Sequence, residues 1–310
     1  MNRLLNVCCT LAVTLLLVLA GCGKTEQTSS EPKEETKKTR TVEHFMGTTE
    51  VPMNPEKVVV LSHVSWEGSL VSVGVKPYAV MAYDNEFPPH LKDELKGVKA
   101  LPYADEFSPE QIIDLDPDLL IISDRYKPLY DQLADTIPTV VIEVGGDWKE
   151  DHLKITEAVG KLEEGKKVIA ELEKEAKEIG KRIKEKVGNE TFMAVAIGKK
   201  DIRVFGTKNH ATNALLFDDL GLTPAEGLPE DFGENISIEG LAKYNPDHII
   251  DITYFNSGEF YDTVTQGKVW NSLKAVKNNH VYKLTTTWGF WDPIERKKGL
   301  QEIEKLLVSQ

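Results

Sequence analysis

One long stretch of this chain carries apolar residues with the period of an α-helix. Between Asp151 and Val187 they recur every three, four or seven positions, and Lys and Glu fill the positions between them. This spacing places one apolar stripe along a helix whose other faces are polar. The residues of the stripe are Ile155, Val159, Leu162, Ile169, Leu172, Ala176, Ile179, Ile183 and Val187.

The ends of this helix carry capping signals. Asp147, with Glu150 three residues later, can cap its start, and Gly188 can close its end. A helix of about 35 residues is about 50 Å long, which is more than one lobe needs. We therefore expect a helix that joins two lobes. The alternative is two helices broken at Gly160 or Gly165, because glycine weakens a helix.

The same pattern of capped helix, stop and buried strand occurs once on each side of the long helix. Each copy ends in a predicted strand, the continuous apolar run Leu119–Ile122 or the segment Ile249–Ile252, in which Asp251 is the one polar residue. Apolar runs of this kind are buried on both faces of a parallel sheet. The chain therefore predicts two similar α/β lobes that face each other across a cleft. At one constant offset the copies pair Ser108 with Ser237, Glu110 with Glu239, Pro117 with Pro246, Asp118 with Asp247 and Ile121 with Ile250.

Other local signals mark the two ends of the folded part. The short segments on either side of Gly47 predict a β-hairpin. We expect the folded part to begin near Val42. Towards the other end, the run Asp292-Pro293-Ile294-Glu295 has the pattern of a capping box that opens a last helix.

The first residues predict a lipoprotein signal peptide at 1–21. Arg3 is followed by an apolar run from Leu11 to Ala20, which is short for a membrane span. The run ends in Leu19-Ala20-Gly21-Cys22, which resembles the lipobox of bacterial lipoproteins, where cleavage precedes a cysteine that receives a diacylglycerol. We expect this lipid on Cys22 to anchor the protein to the membrane, and no other covalent cofactor.

Composition narrows the class of the mature protein. All three cysteines, Cys8, Cys9 and Cys22, lie in the N-terminal segment, so the folded part has no disulfide. Residues 22–41 are mostly Lys, Glu, Thr and Ser without an apolar period, and predict a flexible tether. The formal net charge of −13 argues against a nucleic-acid partner. No nucleophile-elbow, Walker, dinucleotide-binding or His-Glu-x-x-His motif occurs, so we expect a binding protein and not an enzyme.

Segments along the whole chain match one known family. They are the lipobox, the linking helix, both copies of the repeated unit, Asn54–Val59, and Trp270–Val276 ahead of a strand. Together they resemble the iron-siderophore-binding lipoproteins of Gram-positive bacteria, which are substrate-binding subunits of ABC importers. The resemblance implies an α/β fold of two Rossmann-like lobes, at 42–146 and 189–310, joined by one long backbone helix at 147–188 and closing modestly on the ligand.

The resemblance also implies partners. The ligand would be a ferric siderophore, captured on the extracellular face of the cell membrane and delivered to an ABC permease dimer with its ATPase. Glu110 and Glu239 would dock onto arginine pockets of the two permease subunits. Each glutamate stands two residues after a serine, so a role in the first turn of a capped helix is the alternative.

Candidate ligand-binding residues follow strand ends or lie in loops that face the expected cleft. Arg203 occupies the place where the family commonly has a ligand-clamping arginine, and Arg125 ends a strand of the first lobe. A guanidinium can grip the oxygen atoms around ferric iron. Few basic but many aromatic candidates favour a hydroxamate or citrate-hydroxamate ligand over a trianionic catecholate. A ferric catecholate, ferric citrate and haem stay open as alternative ligands. The other candidates are Trp66, Tyr83, Tyr254, Trp288, Trp291, His63 and His210.

The seven histidines raise direct binding of zinc or manganese as a rival function. Importer subunits of that kind use three histidines and a carboxylate on the ion. His63 and His210 lie in plausible cleft loops, but the other five form no obvious set along the chain, so we expect no metal ligands. Those five are His44, His90, His152, His248 and His280.

Overall fold

Apolar runs of the chain form two large β-sheets in the computed structural model, which describes residues 38–144, 147–253, 258–284 and 289–308. Each sheet is the centre of one lobe and has a core of apolar side chains on both of its faces. This confirms the expected α/β fold of two lobes. Within the described ranges, no helix has the length and apolar character that crossing a membrane requires.

An antiparallel hairpin opens the described chain. It consists of β1 (Thr39–His44) and β2 (Gly47–Pro52), paired along their whole length, and it confirms the expected hairpin. Its turn lies at Phe45 and Met46, just before Gly47, which is the first residue of β2. The folded part therefore begins before Val42, and the predicted tether ends too late. The sequence does not reveal the start of β1, because its first residues are polar. Hydrogen bonds to the backbone of β2 hold them in the strand. The alternating positions Val42 and Val51 are the ones that are buried.

The first lobe is built on five parallel strands in the order β5-β4-β3-β6-β7. All-parallel sheets need cover on both faces, which is why β3, β4, β6 and β7 are buried at every residue. The strands are β3 (Val58–Leu61), β4 (Ala79–Ala82), β5 (Lys99–Pro102), β6 (Leu119–Ser123) and β7 (Thr139–Ile142). The helices of this lobe are α1 (Glu67–Ser72), α2 (Pro109–Ile113) and α3 (Lys127–Leu133), with single 3-10 turns at Pro89–Leu91 and Asp124–Tyr126.

The second lobe has a mixed sheet in the order β11-β9-β8-β12-β13, with β10 also paired to β8. Its strands are β8 (Thr191–Ile197), β9 (Ile202–Phe205), β10 (Thr223–Pro224), β11 (Gly233–Ile236), β12 (His248–Asp251) and β13 (Val281–Lys283). Its helices are α6 (Ala211–Asn213) with a π-helix at Ala214–Asp219, then α7 (Leu241–Tyr244), α8 (Gly258–Thr265), α9 (Lys268–Ser272), α10 (Lys274–Lys277) and α11 (Pro293–Val308).

The repeated unit is present in both lobes. In each copy the serine Oγ accepts a hydrogen bond from the backbone N–H three residues further along, at 3.3 Å for Ser108 and 3.2 Å for Ser237. In each copy the aspartate ahead of the strand, Asp118 or Asp247, accepts backbone N–H bonds at the start of the neighbouring strand. The second copy begins with turns and becomes helical only in α7, because Gly240 stands where a glutamine completes the capping box of the first copy.

The segment that links the lobes contains two helices. They are α4 (Trp148–Ala158) and α5 (Leu162–Val187), separated by Gly160 with a φ of +74°. The prediction of a single helix from Asp151 is therefore wrong, and the alternative break at Gly160 is confirmed. A residue in the left-handed region ends the helical hydrogen-bond series. The long helix of the fold is α5, whose 26 residues span about 39 Å.

Three helices form the junction between the lobes. The apolar stripe of α5 packs into the core of the second lobe. Helix α4 contributes Trp148 to that core and Ile155 to the core of the first lobe. Helix α11 contributes Leu300 and Ile303 to the second core and rests Ile294 against the first. The lobes are thus joined by shared packing as well as by the chain itself.

We expect Gly160→Ala to destabilise the protein by about 1–2 kcal/mol, because alanine is strained at a positive φ. Its Cβ would also lie 2.9 Å from the carbonyl oxygen of Met53. Urea unfolding followed by circular dichroism measures the change. Lys167→Ala, at an exposed position of α5, is the control and should stay within about 0.5 kcal/mol of the wild type. A Gly160→Ala protein as stable as this control would show that the break has no energetic basis.

Candidate ligand-binding cleft

The carboxyl ends of the first-lobe strands define one wall of the cleft. All five strands are parallel, so these ends lie along one edge of the sheet, where open α/β sheets bind ligands. Val64 follows β3, Val144 follows β7, and each packs against the cores of both lobes. This edge therefore faces the second lobe, and residues that follow the strands line the space between the lobes.

Two polar candidates lie on the first-lobe side. His63 is half-buried, and its Nδ1 lies 3.3 Å from Oγ of Ser123. Burial, followed by the positive charge of Arg125, lowers the pKa of His63, so its imidazole is neutral at physiological pH. Arg125 forms an ion pair with Asp105 in which both side chains are largely exposed. Arg125 is therefore already neutralised by a carboxylate, and its contact with a ligand stays a prediction.

Two tyrosines form an exposed aromatic surface on the same edge. Tyr83 follows β4 and Tyr103 follows β5, and the residues are 37% and 45% exposed. Their rings meet edge-to-face with centroids 5.7 Å apart. Tyr83 was among the predicted residues. Tyr103 was missed, although its position directly after a strand carries the same signal.

The structure brings three predicted residues of the second lobe together around Phe232. The guanidinium of Arg203 lies 5.5 Å from the centroid of the Phe232 ring, and its Nε donates to Oδ1 of Asn235 at 3.1 Å. His210 meets Phe232 edge-on at 4.7 Å, and Trp291 meets His210 at 5.0 Å. We call Arg203, His210, Phe232 and Trp291 the second-lobe cluster. Phe232 is 36% exposed, and sequence reasoning missed it because it lies among turn residues rather than after a strand.

His210 also has a structural role in this cluster. Its Nδ1 accepts the N–H of Thr212 at 3.1 Å and so caps α6. Burial, followed by the charges of Arg203 and Arg296, lowers the pKa of His210 to about 3. The neutral ring therefore orients Phe232 and Trp291 across the physiological pH range. Direct contact of His210 with a ligand stays a prediction.

Trp66 is not a cleft residue. It is completely buried in the core of the first lobe, and its Nε1 donates to Oδ2 of Asp151 at 3.2 Å. The prediction was wrong because a position just after a strand does not fix the direction in which the side chain points. Tyr254, Trp288 and Cys22 lie outside the described residues, so their predicted roles are untested.

A family model described as periplasmic binding protein matches residues 57–287 of the chain. The chain belongs to the periplasmic binding protein family. This family consists of substrate-binding proteins without enzymatic activity, which confirms the expectation that the chain is not an enzyme.

The chain is also similar to two known relatives and to one solved structure. The probable siderophore-binding lipoprotein YfiY of Bacillus subtilis is 31% identical over 290 residues, covering 87% of each chain. The iron(3+)-hydroxamate-binding protein FhuD of the same organism is 29% identical over 307 residues, covering 96% of each chain. The crystal structure of Staphylococcus aureus SirA complexed with staphyloferrin B matches with a TM-score of 0.74 at 24% identity, covering 87% of this chain and 98% of that one. The structural match shows the shared fold.

A buried polar cluster beside Trp291 joins the start of α11 in this periplasmic binding protein to the first lobe. Asp292 caps α11, and its Oδ1 accepts two backbone N–H groups at 2.8 and 2.9 Å. Its Oδ2 lies 2.7 Å from Nε2 of His90 in the first lobe. Glu295 accepts the N–H of Trp291 at 3.0 Å, which fixes the backbone that carries the indole. Gly68 of α1 permits this approach, because a Cβ there would overlap the Asp292 carboxylate.

The charge of His90 depends on this cluster. Burial alone would lower the pKa of His90, but the carboxylates of Asp292, Glu295 and Glu67 outweigh it and raise the pKa to about 9. A histidine whose pKa is raised on folding stabilises the folded state below the pKa of the unfolded chain, near 6.5. This contribution is lost as the pH rises through about 9.

We therefore expect His90→Gln to destabilise the periplasmic binding protein in a pH-dependent way. Glutamine keeps an N–H donor but carries no charge. The wild type should be more stable than the variant by on the order of 2 kcal/mol at pH 6.5, and this advantage should shrink as the pH approaches about 9. Chemical unfolding across this pH range measures the difference. An advantage that stays constant or grows with pH would contradict a charged His90.

Proposed function

We propose that this protein is a lipid-anchored binding protein that captures a ferric siderophore outside the cell and delivers it to an ABC importer. The observation that carries the proposal is the second-lobe cluster, in which the Arg203 guanidinium lies over an exposed aromatic ring. The names of the relatives support the ligand class, since one is a probable siderophore-binding lipoprotein and another binds an iron(3+)-hydroxamate.

The chemistry of the two walls suits a bulky iron chelate. The oxygen atoms around ferric iron stay electron-rich in a chelate that is neutral overall, and a guanidinium fork can donate to two of them. Phe232 on one side and the pair Tyr83 and Tyr103 on the other supply flat surfaces for the organic part of the ligand. This arrangement favours contact from both lobes.

We further propose a hydroxamate or citrate-hydroxamate siderophore. A ferric tricatecholate carries three negative charges, and a matching site would need several uncompensated cations. Of the two predicted arginines, Arg125 is paired with Asp105, whereas Arg203 donates to the neutral amide of Asn235. A neutral or weakly charged ferric complex fits one available guanidinium better than a trianion does.

Arg203→Gln should weaken binding of a ferric hydroxamate by about tenfold or more, because a hydrogen bond to a charged donor is worth about 1.5–3 kcal/mol. Quenching of tryptophan fluorescence by ferric hydroxamates, tricatecholates, citrate and haem measures both affinity and preference. Arg182→Gln removes a partly exposed arginine of α5 that pairs with Glu304, and it should leave affinity unchanged. Equal affinity of the Arg203 variant and this control, or a preference for tricatecholates, would contradict the proposed site.

Docking onto the permease is proposed for Glu110 and Glu239. Both are exposed, and they occupy equivalent positions of the repeated unit in the two lobes. Hydrogen bonds to the backbone N–H of Glu110 and to Ser108 lower the pKa of the Glu110 carboxyl, so it stays ionised for an arginine pocket. Two matching acids, one in each lobe, suit a permease made of two similar subunits.

We expect Glu110→Lys combined with Glu239→Lys to abolish siderophore uptake by cells while ligand affinity stays unchanged, since the charge reversal repels an arginine pocket. Uptake of radiolabelled ferric chelate and fluorescence titration of the purified variant measure the two quantities. Glu43→Lys combined with Glu226→Lys, one exposed acid in each lobe outside the repeated units, is the matched control. Normal uptake by the docking variant would overturn this role.

The membrane anchor is proposed from the N-terminal sequence. Cys22 follows Leu-Ala-Gly, and the residues from Gly23 to the start of β1 are polar. A lipid on this cysteine would hold the binding protein on the extracellular face of the membrane, with a tether that lets it reach the permease.

A further inference from the structure

Two histidines and a glutamate meet where three parallel strands of the second sheet begin, at the end opposite the carboxyl ends where open α/β sheets bind ligands. Strands β8, β12 and β13 are neighbours and parallel, so their starts align. Glu190 precedes β8, His248 begins β12 and His280 precedes β13. One possible ligand atom from each residue lies within 4.8 Å of the other two. Strand pairing thus assembles a group that the separate positions in the sequence do not reveal.

A hydrogen bond indicates which ring nitrogen of His280 carries the lone pair that could bind an ion. Nδ1 of His280 lies 3.2 Å from the carbonyl oxygen of Asp247. A carbonyl can only accept, so Nδ1 carries the hydrogen and Nε2 carries the lone pair. Metal-bound histidines are usually oriented in this way, by an N–H bond from the second ring nitrogen to a carbonyl or carboxylate.

His248 is held rigidly at the centre of the group. Its ring stacks on Phe192 at 4.4 Å and on His280 at 4.5 Å, and Nε2 lies 2.7 Å from Oε2 of Glu190. Its Nδ1 lies 3.4 Å from the hydroxyl of Tyr282. In the tautomer that carries its hydrogen on Nδ1, His248 can donate a hydrogen bond to the hydroxyl oxygen of Tyr282, which leaves the lone pair of Nε2 available to an ion.

We propose that Glu190, His248 and His280 bind one divalent transition-metal ion, of which Zn²⁺ is the natural probe. Imidazole nitrogen and carboxylate oxygen are ligands that Zn²⁺ accepts, and three protein ligands leave a fourth position for water. The site does not depend on the siderophore proposal, since it lies at the other end of the strands from the cleft.

Access and local charge suit an ion that arrives from solvent. Glu190 is exposed and His280 is half-buried, so both can move onto an ion while the buried His248 stays in place. The two imidazole planes are nearly parallel, at 10°, so His280 must turn before both lone pairs point at one ion. The nearby ammonium group of Lys274 is neutralised by Asp247.

A second group of the same kind, His90, Asp292 and Glu295, does not share these properties. All three residues are buried. Both carboxylates accept backbone N–H groups around the start of α11, and Asp292 also bonds His90. The carboxylate oxygens of this second group already accept hydrogen bonds at the junction of the lobes, so we assign no ion to the group.

Calorimetric titration with Zn²⁺ tests the proposal on the untagged chain from Cys22 onward, which lacks the predicted signal peptide. The Cys22 thiol is alkylated in place of the lipid so that no thiol competes for the ion. We expect one ion per chain in the wild type. Glu190→Gln and His280→Gln should each weaken binding by about tenfold or more, because each removes a direct ligand. His44→Gln, in the hairpin of the first lobe, is the matched control and should bind as the wild type does.

Two further readouts separate this site from the cleft. Saturating Zn²⁺ should raise the Tm of the wild type and not that of Glu190→Gln, since the ion joins the starts of three strands in the folded state only. Both variants should keep wild-type affinity for a ferric siderophore. Equal Zn²⁺ affinity in all variants, or release of Zn²⁺ by a bound siderophore, would overturn the proposed site.

Discussion

The buried contact between His90 and Asp292 is the constraint on which the arrangement of the two lobes depends. It joins a turn of the first lobe to the first residue ahead of α11, and neither side chain reaches solvent. Breaking such a pair leaves a charge in a medium that solvates it poorly, which costs several kcal/mol. The same Asp292 caps α11, and the neighbouring Glu295 fixes the backbone of Trp291. Lobe position and cleft geometry are therefore set by one polar cluster.

Shared packing around this contact limits how the lobes can move. Trp148 and Ile155 of α4 belong to different cores, and α11 also touches both. A wide hinge motion would have to expose these side chains together with the buried charges. The modest closure implied by the family resemblance stays a prediction. A cleft of nearly fixed shape must recognise its ligand with residues that are already in place, such as Arg203 over Phe232.

Several structural features could be predicted because their signals are local. The serine caps at Ser108 and Ser237, the hairpin around Gly47 and the buried strands all follow from neighbouring residues. The helix break at Gly160 could be predicted only as an alternative, because the apolar period does not show that this glycine adopts a positive φ. The wrong assignment of Trp66 has a similar origin, since the strand end was placed correctly but the side chain points into the core.

The sequence by itself determined the two-lobed α/β fold, the repeated unit and the class of protein, because periodicity, caps and motifs act over a few residues. Tertiary structure alone decided which distant residues meet. His90 and Asp292 are separated by 202 positions, and Glu190 joins His248 and His280 only through the register of three parallel strands. Such contacts depend on how strands align and how helices pack, and neither can be predicted from a local pattern along the chain.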